Sequence, residues 1–406
     1  MKTYLIEGIK SLGVSNLFMI LNFIGNIYIV RLLNPEIFGL YALSLALVGI
    51  VEILTTFSIN TIYLQRKQSK YLFNGITVII ALILILKVAV GFIVYLLLAS
   101  IYDAKIWDVF IFIFLFKLFI PINSILISIL EKNLMFFKSS LIVNLANFSG
   151  LALSIYSIIY HDYGLEALVV KEVFPILAIF IFSIFFSRKL LPKFQFTSRI
   201  HIKLLLLKSL EMYTVRVSEL SFSRIPVLII ENIFGPIVLG FYSQSLYLVN
   251  TLNRITNSIN QQVGIVFFSN FRTDKDLKEK GATILYFIAF ILGAPVAIFL
   301  YLYSHQIIFF LFGEKWADSS ELLKVMSPLI LILPLFTIAK SQLFGNRSNL
   351  TVTVIYIFGT ASLSLSLYLF KDNGDFTYVG ISTLISFVMM LIISIYSVKK
   401  SKTNEK

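Results

Sequence analysis

The chain has 406 residues, of which 58% are hydrophobic and 14% charged, and its mean hydropathy is +0.91. A water-soluble domain carries about 25% charged residues, so these proportions exclude an ordinary globular core and point to lipid as the solvent. The net charge is +13 and cysteine is absent, which excludes disulfide scaffolds, thiolate metal sites and cysteine nucleophiles.

Apolar runs of roughly 20 residues match the length a helix needs to cross about 30 Å of hydrocarbon, where the backbone must bond within its own segment. They predict about twelve transmembrane helices, near 9–31, 40–64, 72–100, 107–130, 139–160, 165–187, 209–231, 240–268, 281–303, 320–342, 349–370 and 376–398. The fold class is therefore an all-α polytopic membrane protein. The first run follows Met-Lys-Thr with no small-residue cleavage site, and is read as an uncleaved membrane helix rather than a signal peptide.

Charge orients these helices. With the N-terminus in the cytoplasm, the cytoplasmic segments hold 23 Lys and Arg, among them Arg66, Lys67, Lys70, Arg188, Lys208, Lys340 and Lys400. The opposite loops hold five: Arg31, Lys105, Lys171, Lys315 and Lys371. This positive-inside bias predicts that both termini are cytoplasmic. It also accounts for the basic surplus as a topology signal, so no nucleic-acid partner is expected. The basic segment near 188–208 reads as a charged linker, or as an amphipathic stretch lying on the leaflet.

Two segments repeat. Leu33–Leu47 reads LNPEIFGLYALSLAL and Phe234–Leu248 reads FGPIVLGFYSQSLYL. At a constant offset of 201, Pro35 falls on Pro236, Gly39 on Gly240, Tyr41 on Tyr242 and Ser44 on Ser245. Pro and Gly serve there as helix punctuation. An even number of spans per half gives the copies one orientation, hence two pseudo-symmetric six-helix lobes, residues 1–195 and 196–406, related by an axis along the membrane normal.

Polar residues inside the spans share faces. Asn250, Asn253, Arg254, Asn257, Ser258 and Gln261 fall on one side of a helix, as do Arg216, Glu219 and Ser223, with Arg224 beside them. The same offset places Arg216 on Ser15, Ser223 on Asn22, Asn253 on Glu52 and Gln261 on Asn60. Polar side chains have no reason to face lipid, so the coincidence predicts a shared polar cavity lined by Asn22, Asn250, Asn253, Asn257 and Gln261. Lys87, Lys117, Arg216, Arg224 and Arg254 add a cationic excess over Glu52 and Glu219. Guanidinium forks and ammonium charges of this kind suit an anionic head group such as a diphosphate. Pairing within the set, Arg216 with Glu219 or a lysine with Glu52, is the competing reading. Glu52 and Glu219 are the titratable candidates for ion coupling. Prolines 121, 175, 226, 295, 328 and 334 mark kinks, static or functional.

The turn NPEIFGLYALSLAL after an Arg-Leu-Leu helix end resembles bacterial polysaccharide flippases. So do the run IIENIFGPIVLGFYSQSLYLVNTLNRI and LFGEKWADSSELLKVMSP (Leu311–Pro328). These are the O-antigen and capsule exporters of the Wzx type, in the multidrug/oligosaccharidyl-lipid/polysaccharide (MOP) superfamily. The resemblance implies a MOP/MATE-like pair of six-helix bundles in the bacterial inner membrane. It implies alternating access, with the substrate an undecaprenyl-diphosphate-type lipid-linked oligosaccharide moved from the cytoplasmic to the outer leaflet. Membrane lipids and other polysaccharide-assembly proteins are the expected partners. Arg216, Arg224 and Arg254 are the implied counterparts of the cationic cavity, and Glu231 of an acidic residue entering the Gly-Pro turn.

The alternatives are an ion-coupled small-molecule or drug exporter of the same superfamily, a major-facilitator transporter, and a membrane polymerase or glycosyltransferase. The loop LQRKQSKY lacks the Gly/Asp/Arg pattern usual in major-facilitator transporters, and the longest outer loop, about 304–320, is short for chemistry. His161, His201 and His305 show no metal-ligand spacing, and there is no GxxxxGK[ST] phosphate loop. No enzyme activity, metal or cofactor is expected.

Overall fold

The computed structural model describes residues 2–55, 57, 63–64, 70–191, 199–270, 275–346 and 348–403. Among these the secondary structure is helical throughout and no strand occurs, as a lipid solvent requires of an open chain. The helices are α1 (Lys2–Leu32), α2 (Pro35–Thr55), α3 (Lys70–Leu98), α4 (Ala104–Lys117), α5 (Ile120–Lys132), α6 (Phe136–His161) and α7 (Leu165–Ser187). They continue with α8 (Arg199–Asn270), α9 (Lys275–Phe312), α10 (Ser319–Met326), α11 (Leu329–Gly345), α12 (Asn349–Leu369) and α13 (Thr377–Thr403).

Ten stretches among the described residues are long and apolar enough to cross a bilayer. The pair α10–α11 makes an eleventh, bent by 44° at Ser327-Pro328, where a proline cannot continue the ladder. One of the ten, Tyr213–Arg254, runs 42 residues, about twice what one crossing needs. It is broken at Gly235, whose φ of 80° is a left-handed conformation open to glycine and followed at once by Pro236. Counting α8 as two arms restores the twelve spans read from the sequence.

Three expectations are corrected in detail. The outer segment 304–320 is largely helical, because α9 runs to Phe312 and a 3₁₀ turn at Glu314–Trp316 leads into α10. Lys340, read as a cytoplasmic loop charge, lies within α11. Lys171, read as an outer loop charge, lies within α7. The segment 192–198 and most side chains of 199–212 lie outside the described residues, and the linker reading with them.

The chain packs as two compact units. One comprises Met1–Leu33 and Leu47–Tyr213, the other Asn34–Ala46 and Thr214–Lys406. In the first, α6 lies along α1 and α7, and α4 and α5 also reach α7. A polar seam holds α1 to α6, where Ser11 meets Ser140 and Asn144 donates to Ser15 at 3.3 Å. Ile76, Ile79, Ile125 and Ile129 pack around the fully buried Tyr63.

In the second unit, α13 packs on α10, α11 and α12, and α9 on α10 and α11. Its centre of close packing is the repeated turn. A Cβ placed on Gly39 would lie 1.8 Å from the Pro236 carbonyl oxygen, and one on Gly240 would lie 2.0 Å from that of Pro35. Each copy thus presses its glycine on the proline of the other, a reciprocal contact that only a residue without Cβ permits. Trp316, fully buried, sits over this contact with its ring 5.4 Å from Phe38, 6.2 Å from Phe241 and 6.0 Å from Phe312. The Ser245 hydroxyl donates to the Ser319 carbonyl at 3.0 Å and ties the second copy to α10.

Candidate functional site

Isolated charges in a bilayer are costly, about 2.5–3.5 kcal/mol each at a helix centre, so those present are expected to find partners. Each unit gathers them into a cluster.

In the first unit, Lys117 at the end of α4 lies 3.6 Å from Glu52 of α2 and 3.3 Å from Glu172 of α7. Its side chain is 8% exposed, so the ammonium is shared between two carboxylates in a nearly dry setting. Lys87 is also buried, at 5% exposure. Lys171, next in sequence to Glu172, donates to the Asn26 side-chain oxygen on α1. Beside these groups α5, α6 and α7 line a cavity of about 430 Å³, bordered by Asn123, Ser128, Glu131, Asn147, Lys171 and Glu172. Asn123 donates to the Ile176 carbonyl at 2.9 Å, while its own oxygen has no hydrogen-bond partner among the described residues. Asn22 on α1 is half-buried.

In the second unit, Glu219 on the first arm of α8 stands between two cations. Arg216 donates to Glu219 Oε2 at 3.1 Å, one turn along the same helix, and the Lys340 ammonium lies 3.6 Å from Oε1. Tyr356 of α12 donates to Oε1 at 3.3 Å and accepts from Lys340 at 3.0 Å. The pairing of Arg216 with Glu219 was open in the sequence; the structure makes it and adds Lys340 and Tyr356. Arg224 is half-buried and its Nε has no hydrogen-bond partner among the described residues. On the second arm, Asn250 and Arg254 are exposed and Asn253 is buried. Asn257 and Gln261 lie on the same arm, but their side chains, like Asn60, fall outside the described residues. Glu231 is half-buried near the end of the first arm.

Sequence reasoning missed Lys340, Tyr356, Lys171 and Glu172. Both lysines had been assigned to loops. A signal existed: Lys340 lies in the run LILILPLFTIAKSQLF, whose apolar residues continue on both sides of it. No group of three or more His, Asp or Glu suited to a metal ion occurs among the described residues.

A helical architecture among the described residues, with a doubled turn and carboxylate–cation clusters on apolar helices, is that of a polytopic membrane protein. Solved structures share it at low sequence identity. The lipid II flippase MurJ, in an inward closed conformation, aligns with a TM-score of 0.69 and 14% identity, over 96% of this chain and 87% of its own. An inward-facing multidrug resistance MATE family transporter of the MOP superfamily aligns at 0.68 and 14%, over 98% and 99%. A MOP superfamily transporter from Pyrococcus furiosus aligns at 0.61 and 15%, over 98% and 95%. No curated protein matches by sequence. A family model described as polysaccharide biosynthesis protein matches residues 28–321, and the chain belongs to that family.

Proposed function

We propose that the protein is a flippase that moves a polyprenyl-diphosphate-linked oligosaccharide from the cytoplasmic to the outer leaflet of the bacterial inner membrane. The reading places both termini in the cytoplasm and sets the protein in O-antigen, capsule or exopolysaccharide synthesis. The two six-helix lobes, 1–195 and 196–406, are proposed to rock by alternating access while the lipid tail stays in the bilayer. No chemistry on the substrate is invoked, so the protein acts as a transporter and not an enzyme.

The observation that carries this reading is the cationic excess of the second unit, where Arg216 and Lys340 flank Glu219 with Arg224 and Arg254 on the same helix. Arginine and lysine side chains suit the phosphoryl oxygens of a lipid diphosphate. The family's description as polysaccharide biosynthesis supplies the substrate class. We assign Arg216, Arg224, Arg254, Lys87 and Lys117 to head-group binding, Asn22, Asn250, Asn253, Asn257 and Gln261 to the polar lining, and Glu52 and Glu219 to ion coupling.

The test is deletion of the gene followed by quantification of lipid-linked oligosaccharide on the cytoplasmic leaflet. Accumulation is expected, reversed by the intact gene and less so by an Arg216→Ala/Arg254→Ala variant. Unchanged surface polysaccharide with no accumulation would redirect the reading to small-molecule export.

A further inference from the structure

The Glu219 cluster is built differently from the one around Lys117. There, one buried ammonium is held between two carboxylates, with a second buried lysine, Lys87, beside Glu52. Here, one carboxylate is shared by two cations on separate helices, and one positive charge is left over. The cluster is also open. The Arg216 side chain is 48% exposed, Glu219 37% and Lys340 22%, so the guanidinium is the outermost member and the ammonium the innermost. Arg216 carries five N–H donors, and its bond to Glu219 uses one. The Lys340 ammonium sits 3.6 Å from the carboxylate, longer than a hydrogen bond, with its firm bond going to Tyr356. Glu219 therefore holds both cations in place without saturating either.

We propose that Glu219 is a resident counter-ion that the diphosphate of the substrate displaces from Arg216 and Lys340, which makes Lys340 a head-group-binding residue. This rests on the flippase reading above and deepens it. A diphosphate offers more oxygens and more negative charge than one carboxylate, and can span cations contributed by α8 and α11. While it is bound, Glu219 loses both cations and stands beside a like charge, which weakens the complex. The same repulsion speeds release. Glu219 thus keeps a strongly cationic site from holding its anion too tightly to let it go. Tyr356 keeps Lys340 in position through the exchange. Tyr356 is itself anchored in an apolar cluster with Phe336 and Met390, against which Phe222 and Phe387 pack.

The experiment uses the full-length protein in lipid nanodiscs, with undecaprenyl diphosphate lacking a sugar as the probe. Glu219→Gln removes the charge and keeps the shape, and is expected to bind the probe about tenfold more tightly than the unaltered protein, in line with the loss of one charge-assisted competitor. In cells it should restore surface polysaccharide more slowly, because release has slowed. Lys340→Met is expected to bind about tenfold more weakly, and in that background the gain from Glu219→Gln should shrink. Glu219→Asp keeps the charge but draws it back by one methylene. It should show the same sign at about threefold, and it carries the test if the glutamine variant does not fold. Equal or weaker binding by the carboxylate variants, alongside an unaltered protein that does bind the probe, would overturn the exchange role alone. An unaltered protein that fails to bind the probe would overturn the flippase reading as well.

Discussion

Lys117 illustrates how a single side chain is constrained inside lipid. Its ammonium sits between Glu52 and Glu172 at 8% exposure. Replacing it with methionine removes the cation that both carboxylates share. Such a break costs about 3–5 kcal/mol, more than the pair itself is worth. Lys117→Met is expected to lower the thermal unfolding temperature of the purified protein markedly, with partial recovery on adding Glu52→Gln and Glu172→Gln. No loss of stability in the single variant would mean that the ammonium is solvated from a route the structure does not show. The same residue shows what sequence could and could not reveal. Its placement in an apolar run and its pairing with Glu52 were both legible. Glu172 was not, because it follows Lys171 near the start of α7, where a charged pair reads as a helix end. Lys340 was hidden for a similar reason, since the nearby Gln342, Asn346 and Arg347 resemble the edge of a loop.

The elements show which parts of the chain are fixed by the absence of a side chain. α2 and the second arm of α8 meet where Gly39 and Gly240 press on Pro236 and Pro35. Their spacing was visible as a repeat, and the proline and glycine were read as turn punctuation. That the two copies touch each other was not visible, because a one-dimensional repeat carries no information about contact. Alanine at Gly39 or Gly240 puts a methyl carbon well inside van der Waals contact with backbone that cannot yield cheaply, and is expected to cost about 1–3 kcal/mol as an overpacking change. Gly13→Ala is the control: nothing lies within 4 Å of its Cβ, and it should be neutral or slightly stabilising. Trp316→Ala, emptying the space between Phe38, Phe241 and Phe312, should cost about 3–5 kcal/mol. Thermal unfolding in one lipid composition ranks all four. A Gly39 variant as stable as the Gly13 variant would refute the close approach.

At the scale of the whole molecule, the repeat and the packing draw the boundary differently. The repeat divides the chain near residue 195, whereas the second compact unit takes in Asn34–Ala46 from the start of the chain. Phe38, Leu43 and Ala46 are all buried in it. A fragment of residues 196–406 is therefore expected to remain protease-sensitive when made alone in membranes, and to become resistant when residues 1–195 are supplied as a second chain. Resistance of the lone fragment would show that the borrowed segment is dispensable.

The borrowed half of α2 also sets a clock on biosynthesis. Pro35 leaves the ribosome 205 residues before Gly240, the glycine that presses on it (240 less 35). At synthesis rates of about 5–20 residues per second, this turn waits roughly 10–40 s in the membrane for its partner. The protein cannot assemble strictly from front to back. Its earliest turn must be inserted, kept available and finally captured by a helix not yet made. Slowing translation ahead of residue 236 should lengthen that vulnerable interval and increase degradation of nascent chains, with no change to the finished sequence.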